Sequence, residues 1–244
     1  WSSKEGWDTS RFEQRVRPQI DKGEAYQMEF EYIDQSRETN EINNSDKLTI
    51  NEDSAISYLS RTKQNAEWSD VTIALGEDLT TAGELQTAKF AGAEVEEVEK
   101  TNSRGEKYIT VSKVIDPKKG KYVGIDLNKT TSAETIAEEI YKQIIERGLP
   151  KDNIKLNIAG NGIYTLKSDQ SVYDSLMEEV LKKLQEKGIT IEEVRSGGQT
   201  GIDEAGVKAA LSLGIKASIL APKGYRFRDK SNKDIQDKEA RLAY

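Results

Sequence analysis

Short β-rich runs alternate with helical segments from about residue 56 onwards, and this alternation limits the fold more than any other feature of the chain. The β-rich runs span 71–75, 108–111, 155–159, 192–195 and 217–221. Strands that are separated by helices usually pair in parallel, because the helix returns the chain to the same end of the sheet. The sequence therefore predicts an α/β domain with a doubly wound, mostly parallel, Rossmann-like sheet.

Three helices are indicated by apolar residues at helical spacing. The first follows a capping-box candidate formed by Thr131 and Glu134. The second ends at Gly188, and its apolar stripe consists of Val172, Leu176, Val180, Leu181 and Leu184. The third, at about 202–213, is rich in Ala and contains Gly206, so it can lie close against a strand. These stripes predict core surfaces rather than ligand sites.

Residues 1–55 differ in character from the rest of the chain. They are polar with scattered aromatic residues, and the stretch 34–51 has almost no apolar side chains. This pattern predicts an N-terminal arm or extension that includes a loop, followed by the Rossmann-like domain at 56–244. Residue 1 is Trp rather than Met, so we expect the chain to be part of a larger polypeptide.

Composition excludes several kinds of chemistry. The 244 residues contain no Cys and no His, which excludes disulfides, thiolate nucleophiles, imidazole bases and the usual zinc sites. Any reaction has to use carboxylates, hydroxyls, amines or backbone amides, and we expect no metal and no cofactor. No apolar stretch is long enough to span a bilayer and none at the start is typical of a signal peptide, so we expect a cytoplasmic protein with no membrane partner.

The net charge of the chain limits which partners we expect it to bind. A net charge of −7 argues against a nucleic-acid surface. A local basic patch around Lys223, Arg226, Arg228 and Lys230 keeps nucleic acid as a minor hypothesis. The sequence leaves the oligomeric state open.

The run from Arg195 to Gly206, RSGGQTGIDEAG, places a glycine-rich turn between a β-rich segment and a helical one. A helix start has unpaired backbone N–H groups and the positive end of the helix dipole, and glycines let an anion approach both closely. The turn is therefore a candidate phosphate site, formed by Ser196, Gly197, Gly198, Gln199, Thr200 and Gly201. Its spacing fits neither the Walker loop nor the dinucleotide fingerprint, and a strand-to-helix turn that binds nothing is the alternative.

Loops of similar character follow four of the five β-rich runs. Ligands of open parallel sheets bind beyond the carboxyl ends of the strands, so we expect these loops to line one cleft. The further candidates for ligand binding are Gly76, Thr80, Thr81, Gly83, Gly160, Asn161, Gly162 and Lys223. Thr80, Thr81 and Gly83 could form a second anion-binding nest opposite the first.

Charged residues in these loops have two interpretations each. Asp203, Glu204 and Glu84 lie just inside predicted helix starts, where acids stabilise the helix dipole. The alternative is that they bind ribose or act as general acid or base. Lys223 and Arg226 either pair with phosphate or are ordinary surface charges.

Several of these segments resemble one known family. Ser196 to Asp203, with Ala221-Pro-Lys-Gly224, is similar to the opening of the molybdenum-carrier branch of the SLOG superfamily of Rossmann-like domains. The later segments of that branch resemble Tyr58 to Thr62 with Asn65, Ser69 to Ile73, Thr80 to Glu84 with Thr87, and Leu156 to Gly160. The order is rotated here, so the chain resembles a circular permutant, which close surface termini would allow. The resemblance covers roughly residues 56–235.

The resemblance implies a nucleotide-type pocket at 196–203 and 80–84, with Arg61 of the Arg-Thr motif among its residues. Members of the superfamily bind nucleotides or nucleotide-derived signals, and some cleave N-glycosidic bonds of nucleoside monophosphates. This chain lacks the Pro that precedes the glycines of the phosphoribohydrolase branch, and Asn161-Gly162 replaces a Pro-Arg pair that is frequent in the molybdenum-carrier branch. Without Cys or His, only oxygen ligands are available to a metal, so molybdate would bind only as an oxyanion.

Three functions follow as hypotheses. The first is the binding or sensing of a nucleotide-derived anion, a nucleoside phosphate or an ADP-ribose-like molecule, within a larger bacterial or mobile-element protein. The second is hydrolysis of the N-ribosidic bond of a nucleoside phosphate, with Asp203 or Glu84 on the ribose. The third is a structural or interaction module whose pocket is degenerate.

Overall fold

The computed structural model describes residues 46–53, 58–130 and 132–236. Its helices and strands are, in chain order, β1 (Leu48–Glu52), α1 (Tyr58–Trp68), β2 (Val71–Gly76), α2 (Ala82–Phe90), β3 (Glu94–Thr101), β4 (Lys107–Asp116), β5 (Tyr122–Asp126), α3 (Ala133–Glu146), β6 (Ile154–Gly160), α4 (Gln170–Glu186), β7 (Ile191–Ser196), α5 (Ile202–Ser212), β8 (Lys216–Ala221), β9 (Arg226–Arg228) and β10 (Asp234–Gln236). The α/β prediction is confirmed. No helix among the described residues is both long enough and apolar enough to cross a bilayer.

Six strands form one parallel sheet in the order β1-β8-β7-β6-β2-β5. From β2 the chain proceeds to β5 at one edge, whereas from β6 it proceeds to β7 and β8 on the other side. β2 and β6 are nevertheless neighbours, and Leu75 pairs with Gly160 at their carboxyl ends. Neighbouring strands whose connections leave in opposite directions open a crevice between their loops, which is where open α/β sheets bind ligands.

Helices cover both faces of the sheet, as a doubly wound fold requires. Alternate residues of a strand point to opposite faces. Ile73 of β2 points into the larger apolar core, which it shares with α3, α4 and α5. Ala74 points into a smaller core on the other face, together with Ala66 of α1 and Ala88 of α2. Small residues on this second face bring α1 and α2 close to the sheet, and their ends reach the crevice.

The helix predictions are largely confirmed, with differences of detail. Gly206 brings α5 against β6, since a Cβ there would lie 2.5 Å from Ile158 Cγ2. α3 is capped by Ser132, whose side chain accepts from the Thr135 N–H, rather than by the predicted box, and Thr131 lies outside the described residues. Val172 is half-exposed instead of buried in the core. The buried apolar side chains of α4 are Tyr173, Met177, Val180, Leu181 and Leu184.

The strand predictions need three corrections. Residues 108–111 belong to β4, which pairs with β3 in a separate antiparallel sheet. β5, which the sequence pattern missed, takes the edge position beside β2. Residues 48–52, predicted as part of a polar loop, form β1 and pair with β8. An edge strand needs backbone pairing more than apolar side chains, so a polar sequence does not exclude it. The rest of the predicted arm at 1–55, residues 1–45 and 54–55, lies outside the described residues.

Candidate functional site

A cavity of about 390 Å³ lies at the switch point between β2 and β6, within the size range of small-molecule sites. Its wall is formed by α1, the first turns of α2, the end of β6 with the following loop, the glycine-rich turn and β9. These parts come from distant regions of the sequence, and the parallel sheet places them at one edge. We call this cavity the cleft.

The structure brings many of the predicted site residues together. Those in the wall of the cleft are Arg61, Thr81, Gly83, Glu84, Gly160, Asn161, Gly162, Gly197, Gln199 and Asp203. Those outside the wall are Gly76, Thr80, Ser196, Gly198, Thr200, Gly201, Glu204 and Lys223. Three of the four loops that were predicted to line one cleft thus do so, whereas the fourth, at 222–224, contributes no residue to the wall.

The residues outside the wall have other partners or other surroundings. Glu204 pairs with Lys208 at 2.8 Å, and Lys223 is exposed. Thr80 is exposed and bonds to Asp78. Gly76 packs against the side chain of Asn161, whose Oδ1 would lie 2.8 Å from a Cβ at that position. Glu204 therefore does not face the ligand space in which a catalytic role was predicted for it.

The amides of the five residues 198–202 are already used by the protein, whereas the N–H of Gly197 has no acceptor among the described residues. The five N–H groups donate as follows: Gly198 to Ser196 Oγ (3.1 Å), Gln199 to Asp203 Oδ2 (3.3 Å), Thr200 to Gln199 Oε1 (3.3 Å), Gly201 to Gln170 Oε1 (2.7 Å) and Ile202 to the Asn161 carbonyl (3.1 Å). An amide that donates inside the protein is not open to a phosphate. The predicted cradle is therefore corrected for these five amides, which the protein's own acceptors occupy, while the N–H of Gly197, in the wall of the cleft, stays open.

Polar side chains of the same turn hold β9 in place. Gln199 Oε1 accepts from the Arg228 N–H at 2.6 Å, and the Thr200 hydroxyl donates to the Arg228 carbonyl at 2.7 Å. These two bonds fix the backbone of Arg228, whose side chain lies in the wall of the cleft. The turn thus contributes by positioning a guanidinium group.

Open backbone donors also occur at the start of α2, the predicted second nest. Thr81 is the N-cap residue, and its side chain accepts from the Glu84 N–H. Across the described parts of the chain, the N–H groups of Ala82 and Gly83 have no hydrogen-bond acceptor. Both residues are exposed and belong to the wall of the cleft. The rim therefore presents two free N–H groups and the positive end of a helix.

Two carboxyl groups and one guanidinium lie further inside. Glu84 is 5% exposed, and burial, reinforced by the nearby charge of Asp203, raises its pKa to about 8. A hydrogen bond with Asn161 and the charge of Arg61 only partly oppose this rise in the pKa. Arg61 Nη1 lies 3.3 Å from Asp203 Oδ2 in a buried ion pair. Glu84 is therefore protonated near neutral pH, next to the ion-paired carboxylate of Asp203.

Three buried polar atoms of the cleft lack a hydrogen-bond partner among the described residues. They are Arg61 Nε, Asn65 Oδ1 and Glu84 Oε2. Most buried polar atoms in folded proteins are paired, because an unpaired one has lost its water without compensation. Three such atoms in the wall of a single cleft indicate a place for a polar ligand.

Arginines gather around one tyrosine at the mouth of the cleft. The guanidinium carbons of Arg61, Arg226 and Arg228 lie 5.2, 5.3 and 5.3 Å from the centre of the Tyr58 ring. Asp234 accepts from Tyr58 Oη and Arg228 Nε at 2.9 and 3.1 Å and also pairs with Arg226. Although burial opposes ionisation, these bonds lower the pKa of Asp234 to about 2. One carboxylate thus orders two arginines at the mouth.

Comparison with known proteins adds nothing to this picture. No protein-family model, no curated protein and no solved structure matches the chain. The resemblance to the SLOG superfamily therefore stays a prediction.

Several residues of the cleft were missed as ligand-binding candidates. The sequence places Arg228 only in a basic surface patch and Asn157 only within the Leu156 to Gly160 segment, and its motifs do not single out Tyr164. Asn157 had a usable signal, since it interrupts the apolar run from Leu156 to Ile158 in a strand of a parallel sheet. Such strands are normally apolar throughout, so a buried Asn needs a polar neighbour or a ligand.

Proposed function

We propose that the cleft binds a nucleotide-derived anion, either a nucleoside phosphate or an ADP-ribose-like molecule. The observation that supports this most directly is the division of the cleft into two chemical zones at the switch point. The rim has the open N–H groups of Ala82 and Gly83 and the guanidinium of Arg228. The interior has the unpaired polar atoms of Arg61, Asn65 and Glu84. A ligand with an anionic end and a polar neutral body fits both zones.

The rim favours a phosphate for electrostatic reasons. A helix N-terminus has roughly half a positive charge, and guanidinium groups bind phosphate through charge-assisted hydrogen bonds. Glu84 would oppose an anion if it were ionised, but the raised pKa keeps it neutral near pH 7. The positive groups at the rim therefore act without a competing charge from Glu84.

Aromatic rings in the same wall support a nucleotide-like body. Tyr58 and Tyr164 both line the cleft, and the Arg228 guanidinium carbon lies 5.7 Å from the centre of the Tyr164 ring. Ligand sites typically combine apolar ring faces with a few placed polar groups. The resemblance to SLOG domains, whose members bind nucleotides, supports the same ligand class.

Removal of Arg228 tests the proposal. Calorimetry with AMP and with ADP-ribose should show binding to the wild type and a Kd about tenfold or more weaker for Arg228→Ala, because a charge-assisted bond contributes about 1.5–3 kcal/mol. Lys223→Ala is the matched control, since it removes an exposed cation outside the cleft, and its Kd should equal the wild-type value. If both variants lose affinity equally, the loss comes from the overall charge of the protein and not from a contact between Arg228 and the ligand. No binding by either ligand would refute the proposal and favour a module with a degenerate pocket.

The carboxyl pair favours a second candidate function, hydrolysis of an N-ribosidic bond. Glu84 is protonated beside the Asp203 carboxylate, which is the arrangement of a general acid next to a group that stabilises positive charge. In such a reaction Glu84 donates its proton to the leaving base, and Asp203 stabilises the developing charge on the sugar. Water then adds to the anomeric carbon, releases a proton and leaves a free base and a ribose phosphate.

Base release distinguishes the two functions. If the cleft is catalytic, chromatography should detect free base from a nucleoside monophosphate, and Glu84→Gln should slow its release by roughly a hundredfold or more while the Kd changes little. Binding without any release of base leaves the protein as a binding or sensing domain. Equal release by the wild type and Glu84→Gln would remove Glu84 from the mechanism.

A further inference from the structure

We infer that the interior of the cleft recognises a ligand hydroxyl, so that ribose-bearing phosphates bind in preference to their deoxy analogues. This inference rests on the proposed function, because it concerns the same cleft.

The three unpaired atoms define the group that fits between them. Arg61 Nε is a donor, whereas Asn65 Oδ1 and Glu84 Oε2 are unpaired oxygens. The parent residues are 7%, 2% and 5% exposed, so bulk water reaches them poorly. All three residues line the same cleft, so a complementary ligand group has to accept a hydrogen bond and donate one there.

A hydroxyl meets this requirement better than the other common ligand groups. It donates one hydrogen bond and accepts others, so it can pair with Arg61 and with Asn65 together. A phosphate oxygen only accepts, which would leave Asn65 unpaired. An ammonium only donates, and it would also face the positive charge of Arg61. A sugar supplies several hydroxyls on adjacent carbons.

The protein cannot easily satisfy these atoms by itself. Arg61 is held by its ion pair with Asp203, and its guanidinium lies where a side chain on residue 197 would be, since a Cβ on Gly197 would overlap Arg61 Nη1. The ring of Tyr58 lies on another side of the same guanidinium. These contacts fix the direction of Arg61 Nε and keep it in the cleft.

The rim and the interior are joined through one turn of α2. Ala82 and Gly83 present their N–H groups at the rim, and Glu84, the next residue, reaches the interior. The anionic group and the hydroxyl therefore belong to neighbouring parts of the ligand. A phosphorylated sugar has this arrangement, with hydroxyls close to the phosphate along the ring.

The test compares AMP with 2′-deoxy-AMP, 3′-deoxy-AMP and 2′,3′-dideoxy-AMP by calorimetry on the wild-type protein. Because the analogue leaves the buried groups unpaired, we expect the dideoxy compound to bind at least about tenfold more weakly than AMP. The two monodeoxy compounds show which of the two ribose hydroxyls forms hydrogen bonds in the interior of the cleft. The Asn65→Leu variant should bind AMP more weakly and lose part of its preference over the dideoxy analogue.

Arg228→Ala provides the control, because it removes a contact at the rim. The variant should weaken the binding of AMP and of the dideoxy analogue by the same factor, so the ratio of the two Kd values should stay unchanged.

Equal affinity of the wild type for AMP and the dideoxy analogue would overturn the inference and leave the proposed function intact. Such a result would mean that water satisfies the three atoms. If none of the nucleotides binds, both the inference and the proposed function are overturned. If Asn65→Leu does not fold, the ratio of the wild-type Kd values for AMP and the dideoxy analogue still tests the inference.

Discussion

Replacing Glu84 by Gln should increase the free energy of unfolding at about pH 9 and flatten its dependence on pH between about pH 5 and 9. The pKa of Glu84 is about 8 in the folded protein, against an ordinary value of 4.5. Between these values the unfolded chain releases a proton that the folded protein retains, so the free energy of unfolding falls as the pH rises. This loss of unfolding free energy is complete above the pKa that Glu84 has in the folded protein. It amounts to as much as about 5 kcal/mol, at about 1.4 kcal/mol per pKa unit.

The composition of the chain makes this effect measurable. With no His and no Cys, the chain has no side chain whose ordinary pKa lies between those of the carboxylic acids and those of Tyr and Lys. The charged groups that act on Glu84 are Asp203 and Asp78, which raise its pKa, and Arg61, which lowers it. A pH-dependent loss of stability in this interval therefore reports mainly on the cleft.

Urea unfolding at about pH 6 and pH 9 measures the effect in the wild type, in Glu84→Gln and in a control variant, Glu179→Gln. Glu179 is exposed on α4, so its replacement should leave the difference between the two pH values unchanged. A wild-type stability that is equal at both pH values would contradict the buried, protonated state of Glu84. The same conclusion would follow if Glu84→Gln lost as much stability as the wild type on going to the higher pH.

The fold class could be predicted because its signals are local. Helical spacing, small residues in α5 and β-rich runs are properties of adjacent residues, and their alternation indicated the parallel sheet. The partner of a strand is not a local property, which explains why 108–111 was placed in the wrong sheet. The turn at 102–106, with Asn102 and Gly105 between two β-rich segments, was the available signal for a hairpin. β5 was missed because it is short and contains Gly124.

The candidate site could be predicted only in outline. Topology placed four loops at one edge, and the structure brings Glu84, Asp203 and Asn161 together there. The occupancy of the amides in the glycine-rich turn was beyond local reasoning, because two of the acceptors belong to Gln170 and Asn161, at least thirty residues before the amides that they bind. Helix starts and glycines indicate where donors exist, and only the tertiary contacts determine which of them stay open.

Replacing Gly201 by Ala should lower the free energy of unfolding by about 2–6 kcal/mol. Gly201 has φ 90° and ψ −131°, a conformation that side chains disfavour by about 1–3 kcal/mol. A Cβ there would also lie 2.7 Å from Ile163 N and closer still to the Asn161 carbonyl oxygen. Both are backbone atoms of the loop after β6, so relieving the overlap means moving that loop, at a further cost of about 1–3 kcal/mol.

The Gly148→Ala variant separates the cost of a side chain at positive φ from the cost of the steric overlap. Gly148 also has a positive φ, 62°, but a Cβ at that position has no atom within 4 Å. Its replacement should lower the free energy of unfolding by only about 1–2 kcal/mol, the ordinary cost of a left-handed side chain. Both side-chain bonds of Gln170 to the backbone of Gly201, at 2.7 and 2.9 Å, depend on the turn staying in place, so the loss at Gly201 should be the larger. Equal losses in denaturant unfolding would mean that the turn moves freely, and then its amides could not be held by the protein's own acceptors.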